Sequence, residues 1–260
     1  MNSTDSTPPL YEMNPLSRFS DRTADYVKYR PSYPASAIDR ILAGLGEPSQ
    51  LTAADIGAGT GISSRLLAET GVRVLAIEPN AEMRQAAEIH PLVEWKEGTS
   101  EVTNLPESSV DLVTCFQSFH WFNPVLTLPE FRRILQPSGR LAVVWNLRDR
   151  TDEFTLLYTQ IIKTASNNHP AEECDRTIEP LLTSSDFTNI QSCDFAYKQD
   201  LDLSGLIGRA QSLSYIPKSG PQLHKLISDL TELYETHCGN QSFVSLVYQT
   251  QVCLAELSNA

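Results

Sequence analysis

The sequence predicts a doubly wound α/β fold, an open sheet with helices on both faces. Three observations carry that expectation. Helix and strand signals alternate from residue 35 to residue 145. The strand segments are apolar without alternation, the pattern of strands buried on both faces. Strands separated by helices must cross over to run parallel, and the crossing helices then cover both sides of the sheet.

The elements follow in order. "ASAIDRILAGLG" (35–46) places apolar residues at helical spacing and ends on glycine. "LTAADIG" (51–57) is a short apolar strand that runs into a glycine-rich turn, and "SSRLLAETG" (63–71) is a helix with a glycine stop. "VRVLAIEP" (72–79) is a continuous apolar strand ending in Glu78 and Pro79. "NAEMRQAAEI" (80–89) is a helix with Asn80 as its N-cap. "VEWKEG" (93–98), "VDLVTCFQS" (110–118) and "GRLAVVWN" (139–146) are the third, fourth and fifth strands. The helix before the fifth strand, "TLPEFRRILQPSG" (127–139), is expected to stop at Pro137 and Gly139. Beyond it, "FTLLYTQIIKTA" (154–165) is an amphipathic helix and "FTNIQSCDFAYKQDLDL" (187–203) a long strand. "SGLIGRAQSLSYI" (204–216) and "GPQLHKLISDLTELYETH" (220–237) are helical. "SFVSLVYQTQVCLAEL" (242–257) is a strand or a helix; its apolar run does not decide.

At 260 residues and 41% hydrophobic content, the chain can bury one core of normal size with an appended cap. The 20 basic and 32 acidic residues leave a net charge of -12, with no Lys/Arg run. Nucleic-acid binders carry a basic face, so no nucleic-acid partner is expected. The five cysteines are scattered, odd in number and without a CxxC pair. That pattern fits reduced thiols in a cytoplasmic protein better than a disulfide frame or a metal site. No signal-peptide pattern and no apolar run near a membrane span is visible, so no membrane partner is expected. "MNSTDSTPPLYEMN" (1–14) reads as a loose polar arm.

The turn "ADIGAGTG" (54–61) is the first chemical signal. Gly57, Gly59 and Gly61 lack Cβ atoms, so the backbone can turn sharply and a ligand can lie against it. A dinucleotide fingerprint would need a glycine at position 62, where Ile62 stands. A phosphate loop would need a lysine, and none lies between residues 29 and 95. Asp55 would repel a polyphosphate and suits a ligand with a cationic amine. Glu78 ends the second strand, 23 residues after Asp55, where a carboxylate can take both hydroxyls of a ribose. The ligand implied has a ribose, an amine and no phosphate. S-adenosylmethionine fits all three; NAD fits only the ribose.

"ADIGAGTG", "IEPN", "EGTSEVTNLP", "VDLVTCFQSFHWF" and "GRLAVVWNLRD" resemble the successive motifs of class I S-adenosylmethionine-dependent methyltransferases. "FSDRTADYVKYRPSYP", "FHWF", "WNLRD" and "GRAQSLSYIP" are similar to the trans-aconitate methyltransferase-like branch. The resemblance covers residues 19–150 well and is thinner beyond. It implies a Rossmann-like, seven-stranded sheet with helical cap elements from the N-terminal arm and the C-terminal third. The domain plan is then an arm and lid over 1–34, a cofactor-binding core over 35–150, and a C-terminal completion of the sheet with cap helices over 151–260.

The resemblance also implies roles. The backbone of Gly57, Ala58, Gly59 and Gly61 borders the homocysteine and ribose of the cofactor, and Asp55 helps to hold the turn and the amino-acid end. Glu78, beside Pro79, binds the ribose hydroxyls, and Asn80 and Met83 flank ribose and adenine. Thr99, Ser100 and Glu101 lie at the adenine edge. Gln117 contacts the amino-acid end, and His120 and Trp121 face the cleft, with Trp121 on the cofactor side. Tyr26, Tyr29, Arg30 and Tyr33 form a lid across the methyl group. The branch methylates carboxylates of small acids, which need a guanidinium clamp. Arg30, Arg148 and Arg209 are the available forks, with Arg30 and Arg148 placed foremost beside Tyr33 and His120.

The reaction expected is in-line displacement of a methyl group from a sulfonium, with S-adenosyl-L-homocysteine as the product. A carboxylate nucleophile needs no base. A hydroxyl or amine nucleophile would need one, and His120 is the candidate; it reads equally as a structural histidine. A phenol, amine or arsenical acceptor and a non-catalytic cofactor-binding module are the alternatives.

Overall fold

The computed structural model describes residues 9–12, 28–173 and 177–258. Most of the expected arm, Tyr26 of the expected lid and Cys174 lie outside the described residues. Helix α1 (Ala35–Leu42) leads into β1 (Thr52–Ile56), α2 (Ile62–Glu69), β2 (Arg73–Ile77), α3 (Ala81–Gln85) and β3 (Val93–Lys96). The chain continues through β4 (Val110–Phe116), α4 (Pro124–Ile134), β5 (Leu135–Arg148), α5 (Glu153–Ala165) and the short helices α6 (Pro170–Glu173) and α7 (Glu179–Leu182). It closes with β6 (Phe187–Leu201), α8 (Leu203–Gln211), α9 (Pro221–His237) and β7 (Val244–Leu257).

The seven strands form one sheet in the order β3-β2-β1-β4-β5-β7-β6. Strands β1 to β5 pair in parallel. Strand β7 enters antiparallel between β5 and β6, from Arg140 opposite Glu256 to Arg148 opposite Tyr248. The sheet is therefore mixed, and the segment over 242–257 that sequence left open is a strand.

Continuous apolar strands arise because each face meets helices. Ala53, Val74, Leu112 and Val144 face Ile38 and Ile41 of α1 and Leu67 of α2. Their neighbours Ala54, Leu75, Val113, Val143 and Trp145 face Leu128, Phe131 and Ile134 of α4. A third cluster joins α5, α8 and α9 through Tyr158, Leu206 and Leu230 to Leu246 and Tyr248 of β7, and this is the cap.

Several boundaries differ from expectation: the helix expected over 204–216 ends at Gln211, that expected over 35–46 ends at Leu42, and the fifth strand runs from Leu135 to Arg148. The helix expected over 127–139 starts at Pro124 and ends at Ile134, and β5 already includes Pro137 and Gly139. Asn123 caps it by accepting the Val125 N–H, with Pro124 in the first helical position. The helix expected over 80–89 stops at Gln85, because Ile89 is 98% exposed and gives a further turn nothing to bury. Among the described residues no helix is long and apolar enough to cross a membrane, and no His/Cys/Asp/Glu cluster could hold a metal.

Candidate active site at the carboxyl ends of the parallel strands

The order of strands reverses between β1 and β4, and ligands of open α/β sheets bind at such a switch point. The turn after β1 is hooked to β2, since the N–H groups of Gly57 and Ala58 donate to the Ile77 carbonyl at 2.9 and 3.2 Å. Gly57 has φ +67°, and a Cβ there would lie 2.8 Å from Ser118 Cβ, so the turn closes against β4 only with glycine. Beneath it, the fully buried Asp55 accepts hydrogen bonds from Ser63 at 2.7 Å, Ser64 at 2.6 Å and Thr114 at 2.9 Å. Asp55 thus ties β1, α2 and β4 together from inside. Burial pushes its carboxyl above the ordinary range, and the three hydroxyls moderate the rise.

Glu78 is buried at the end of β2 and accepts the Gly59 and Asn80 N–H groups, each at 2.9 Å. Burial raises its carboxyl as well, against the lowering effect of those N–H groups and of Arg84. Each carboxylate oxygen keeps a second acceptor direction for a ligand hydroxyl. Asn80 caps α3 through the Met83 N–H at 3.0 Å, which packs Met83 into the interior. Thr99 accepts the Val102 N–H at 3.2 Å, and the Thr127 hydroxyl donates to buried Ser100 at 3.1 Å. Pro79 and Glu101 are half-buried beside them. Sheet order puts the ends of β2 and β3 on the opposite side of β1 from Gln117, so a ligand reaching both Glu78 and Gln117 must span the glycine turn.

Two cavities meet here. One, about 440 Å³ and open to solvent, runs along the turn past Gly57, Ala58, Thr60 and Tyr33. The other, about 620 Å³ and also open, is walled by His120, Trp121, Arg148, Tyr215 and Tyr248. Arg30, Gln117 and Arg209 line both and mark their junction. Gln117 sits at φ +52°, a conformation that non-glycine residues hold only when their surroundings enforce it. Its N–H donates to the Val144 carbonyl at 2.8 Å and its amide to the Asn146 carbonyl at 3.0 Å. Trp121 falls in the second cavity, 5.3 Å from the His120 ring, rather than along the turn.

The arginines are not equivalent. Arg148 is paired with Glu172, which also accepts the Tyr215 hydroxyl. Arg30 donates to the Ser212 carbonyl at 3.2 Å. Arg209 is buried and donates to the Ser212 hydroxyl at 3.3 Å. The segment carrying Arg30 is strapped across the strand ends, with Gln199 donating to the Tyr29 carbonyl at 3.0 Å and Asn146 to the Ser32 carbonyl at 2.9 Å. Tyr33 packs edge-on against Phe116 at 4.7 Å. Thr60, Asn146, Glu172, Ser212, Tyr215 and Tyr248 join the site without having been singled out from sequence. Of these, only Thr60 and Asn146 stood inside quoted strand-end motifs.

The residues along the turn fit S-adenosylmethionine. The Thr60 hydroxyl is buried against that cavity with no partner, a polar atom left for a ligand. Glu78 supplies acceptors for ribose hydroxyls.

Comparison with known proteins agrees. A family model described as a methyltransferase domain matches residues 54–143. Over 240 residues the chain is 32% identical to an uncharacterized methyltransferase of Mycobacterium tuberculosis, covering 91% of this chain and 93% of that protein. A solved putative type II methyltransferase from Anaeromyxobacter dehalogenans shares the fold at TM-score 0.64 and 22% identity, over 88% and 98% of the two chains. A phosphoethanolamine N-methyltransferase of Haemonchus contortus, solved with S-adenosylhomocysteine, shares it at TM-score 0.55 and 13% identity, over 97% and 61%. The chain belongs to the class I S-adenosylmethionine-dependent methyltransferases.

Proposed function

We propose that this methyltransferase esterifies a carboxylate of a small organic acid seated in the second cavity. The observation that carries the reading is the pair of guanidinium groups, Arg30 and Arg209, lining that cavity where it meets the glycine-turn cavity, with Arg148 deeper in the same wall and paired with Glu172. The net charge of -12 repels an anion at long range, so an anionic acceptor needs such a local positive wall. The likeness of "YRPSYP", "FHWF" and "WNLRD" to the trans-aconitate methyltransferase-like branch supports a small, soluble acid as acceptor and a cytoplasmic setting.

The bound cofactor supplies an electrophilic methyl group on a sulfonium. Glu78 and the Gly57–Gly61 backbone hold its nucleoside, with Asn80, Met83, Thr99, Ser100 and Glu101 toward the adenine. Gln117, Arg30 and Thr60 serve its amino-acid end. The chain's own work is alignment of the acid with the methyl group and exclusion of water. The acid would take the methyl group on a carboxylate oxygen, leaving the cofactor as a neutral thioether. No proton moves, so no base is required. His120 suits this chemistry as a hydrogen-bond donor, because its Nδ1 already accepts the Trp145 indole N–H at 3.2 Å.

The test is methyl transfer from radiolabelled cofactor to a panel of small acids, followed by mild alkali. A carboxyl methyl ester releases volatile labelled methanol. Label that stays non-volatile marks a hydroxyl or amine acceptor and overturns the reading. Tight cofactor binding without transfer to any class of acceptor would point to a non-catalytic module.

A further inference from the structure

We propose that Arg209 is the seat for the acceptor's carboxylate, while Arg148 is a structural strut of the same cavity. This rests on the carboxylate reading above and assigns its recognition to one residue. Arg209 is 6% exposed, and among the described residues its Nε has no hydrogen-bond partner and no carboxylate pairs with it. Its neutral anchor is the Ser212 hydroxyl, which itself donates to the Arg209 carbonyl at 2.8 Å and so fixes the turn. Burial works against its charge, and the Tyr248, Tyr158 and Tyr215 side chains favour it, Tyr248 through a hydrogen bond of its neutral hydroxyl. Among the described residues the buried Tyr158 hydroxyl also lacks a partner. A buried guanidinium is costly unless an anion meets it, and here the fold supplies donors and withholds the acceptor.

Arg148 shows the contrast. Its charge is met by Glu172, whose other oxygen takes the Tyr215 hydroxyl, and its guanidinium lies 5.6 Å from the centre of the Tyr158 ring. Arg148 and Arg209 also repel one another, so an anion entering between them relieves both. The direction of the seat follows from its lining. Arg209 touches both cavities, but Arg148, Tyr215 and Tyr248 line only the one assigned to the acceptor.

The experiment compares wild type with Arg209→Gln and Arg209→Lys, using S-adenosylhomocysteine and three acids, succinate, fumarate and trans-aconitate, each with its full methyl ester as a neutral control. In wild type carrying S-adenosylhomocysteine, at least one acid raises the melting temperature and its ester does not. In Arg209→Gln that acid-specific shift disappears, and the KM for the methylated acid rises at least thirtyfold. Affinity for S-adenosylhomocysteine stays within threefold. The ligand-free melting temperature holds or rises, because an uncompensated charge is gone; a merely structural arginine would lower it. Arg209→Lys keeps the charge but loses the fork, and its KM rises about tenfold. If Arg209→Gln does not fold, Arg209→Lys is read by the same criteria. Wild-type KM for the acid in these variants overturns the proposal and leaves the carboxylate reading standing. A tenfold loss of S-adenosylhomocysteine affinity with an unchanged acid KM moves the guanidinium to the cofactor's own carboxylate. Transfer by wild type to neutral acceptors alone overturns the carboxylate reading, and this assignment with it.

Discussion

The indole N–H of Trp145 points at His120 Nδ1 across 3.2 Å. Indole nitrogen only donates, so Nδ1 accepts and the neutral ring carries its proton on Nε2. Trp145 is fully buried in β5 and braced edge-on by Phe119 at 6.5 Å, so the pair is held by the core. His120, which lines the cavity, thus has its donor on Nε2. His120→Gln places an amide N–H near the Nε2 position and should keep kcat/KM for an acid within about tenfold. His120→Ala should lose roughly 1.5–3 kcal/mol of transition-state binding, the range for a hydrogen bond to a charged group. Equal, near-total loss in both variants would mark a general base instead.

Glu78 links cofactor affinity to pH. Its folded carboxyl lies above its ordinary value of 4.5, chiefly through burial. A group raised on folding gives its full stabilisation below the unfolded value and loses it as pH climbs through the folded one. The melting temperature of Glu78→Gln relative to wild type should therefore move in the variant's favour as pH rises from 4.5 through the raised value. At neutral pH the same variant should bind S-adenosylhomocysteine about 1.5–3 kcal/mol more weakly by calorimetry. A folded variant with wild-type affinity would remove Glu78 from the ribose site.

Ser64 separates the support of the turn from its surface. Its hydroxyl meets Asp55 at 2.6 Å, inside the fold. Ser64→Ala should cost about 1–3 kcal/mol in urea unfolding, as for a bond to a buried charge. Cofactor affinity should change less than threefold, because Ser63 and Thr114 still hold Asp55.

Gly208 lets the strap cross the cap. A Cβ there would lie 2.2 Å from the Tyr29 ring. Gly208→Ala should displace that ring at a cost of about 1–3 kcal/mol, the usual penalty for overpacking. Hydrogen exchange should quicken across 28–34, and acid kcat/KM should fall because Arg30 rides on the same segment. Unchanged exchange there would show that the strap does not depend on this contact.

The parts of the site legible in sequence are the local ones. The glycine turn and Glu78 follow their strands directly, so strand order alone brings them together. The pairing of Arg148 with Glu172 joins a strand end to a short helix that carries no periodic signal. The isolation of Arg209 is a property of what does not surround it, and no motif records an absent neighbour. Strand β7 escaped assignment because its two halves follow different rules. From Val244 to Thr250 burial alternates, while Val252 to Ala255 is buried throughout, beneath helices on both faces. The start of α4 was marked by Asn123 and Pro124, local signals that the apolar spacing overshadowed.

The position of β7 has a consequence for synthesis. Strand β6 leaves the ribosome before β7, which among the described residues is the one strand that joins it to the sheet. Until β7 emerges, β5 has an open edge and β6 has no neighbour, each showing a row of unpaired backbone groups that could recruit another nascent chain. Strand β6 is dressed for the wait, with Asp194, Lys198 and Asp200 along it and partial exposure at most of its positions. The chain's net charge of -12 adds mutual repulsion between copies over the same interval.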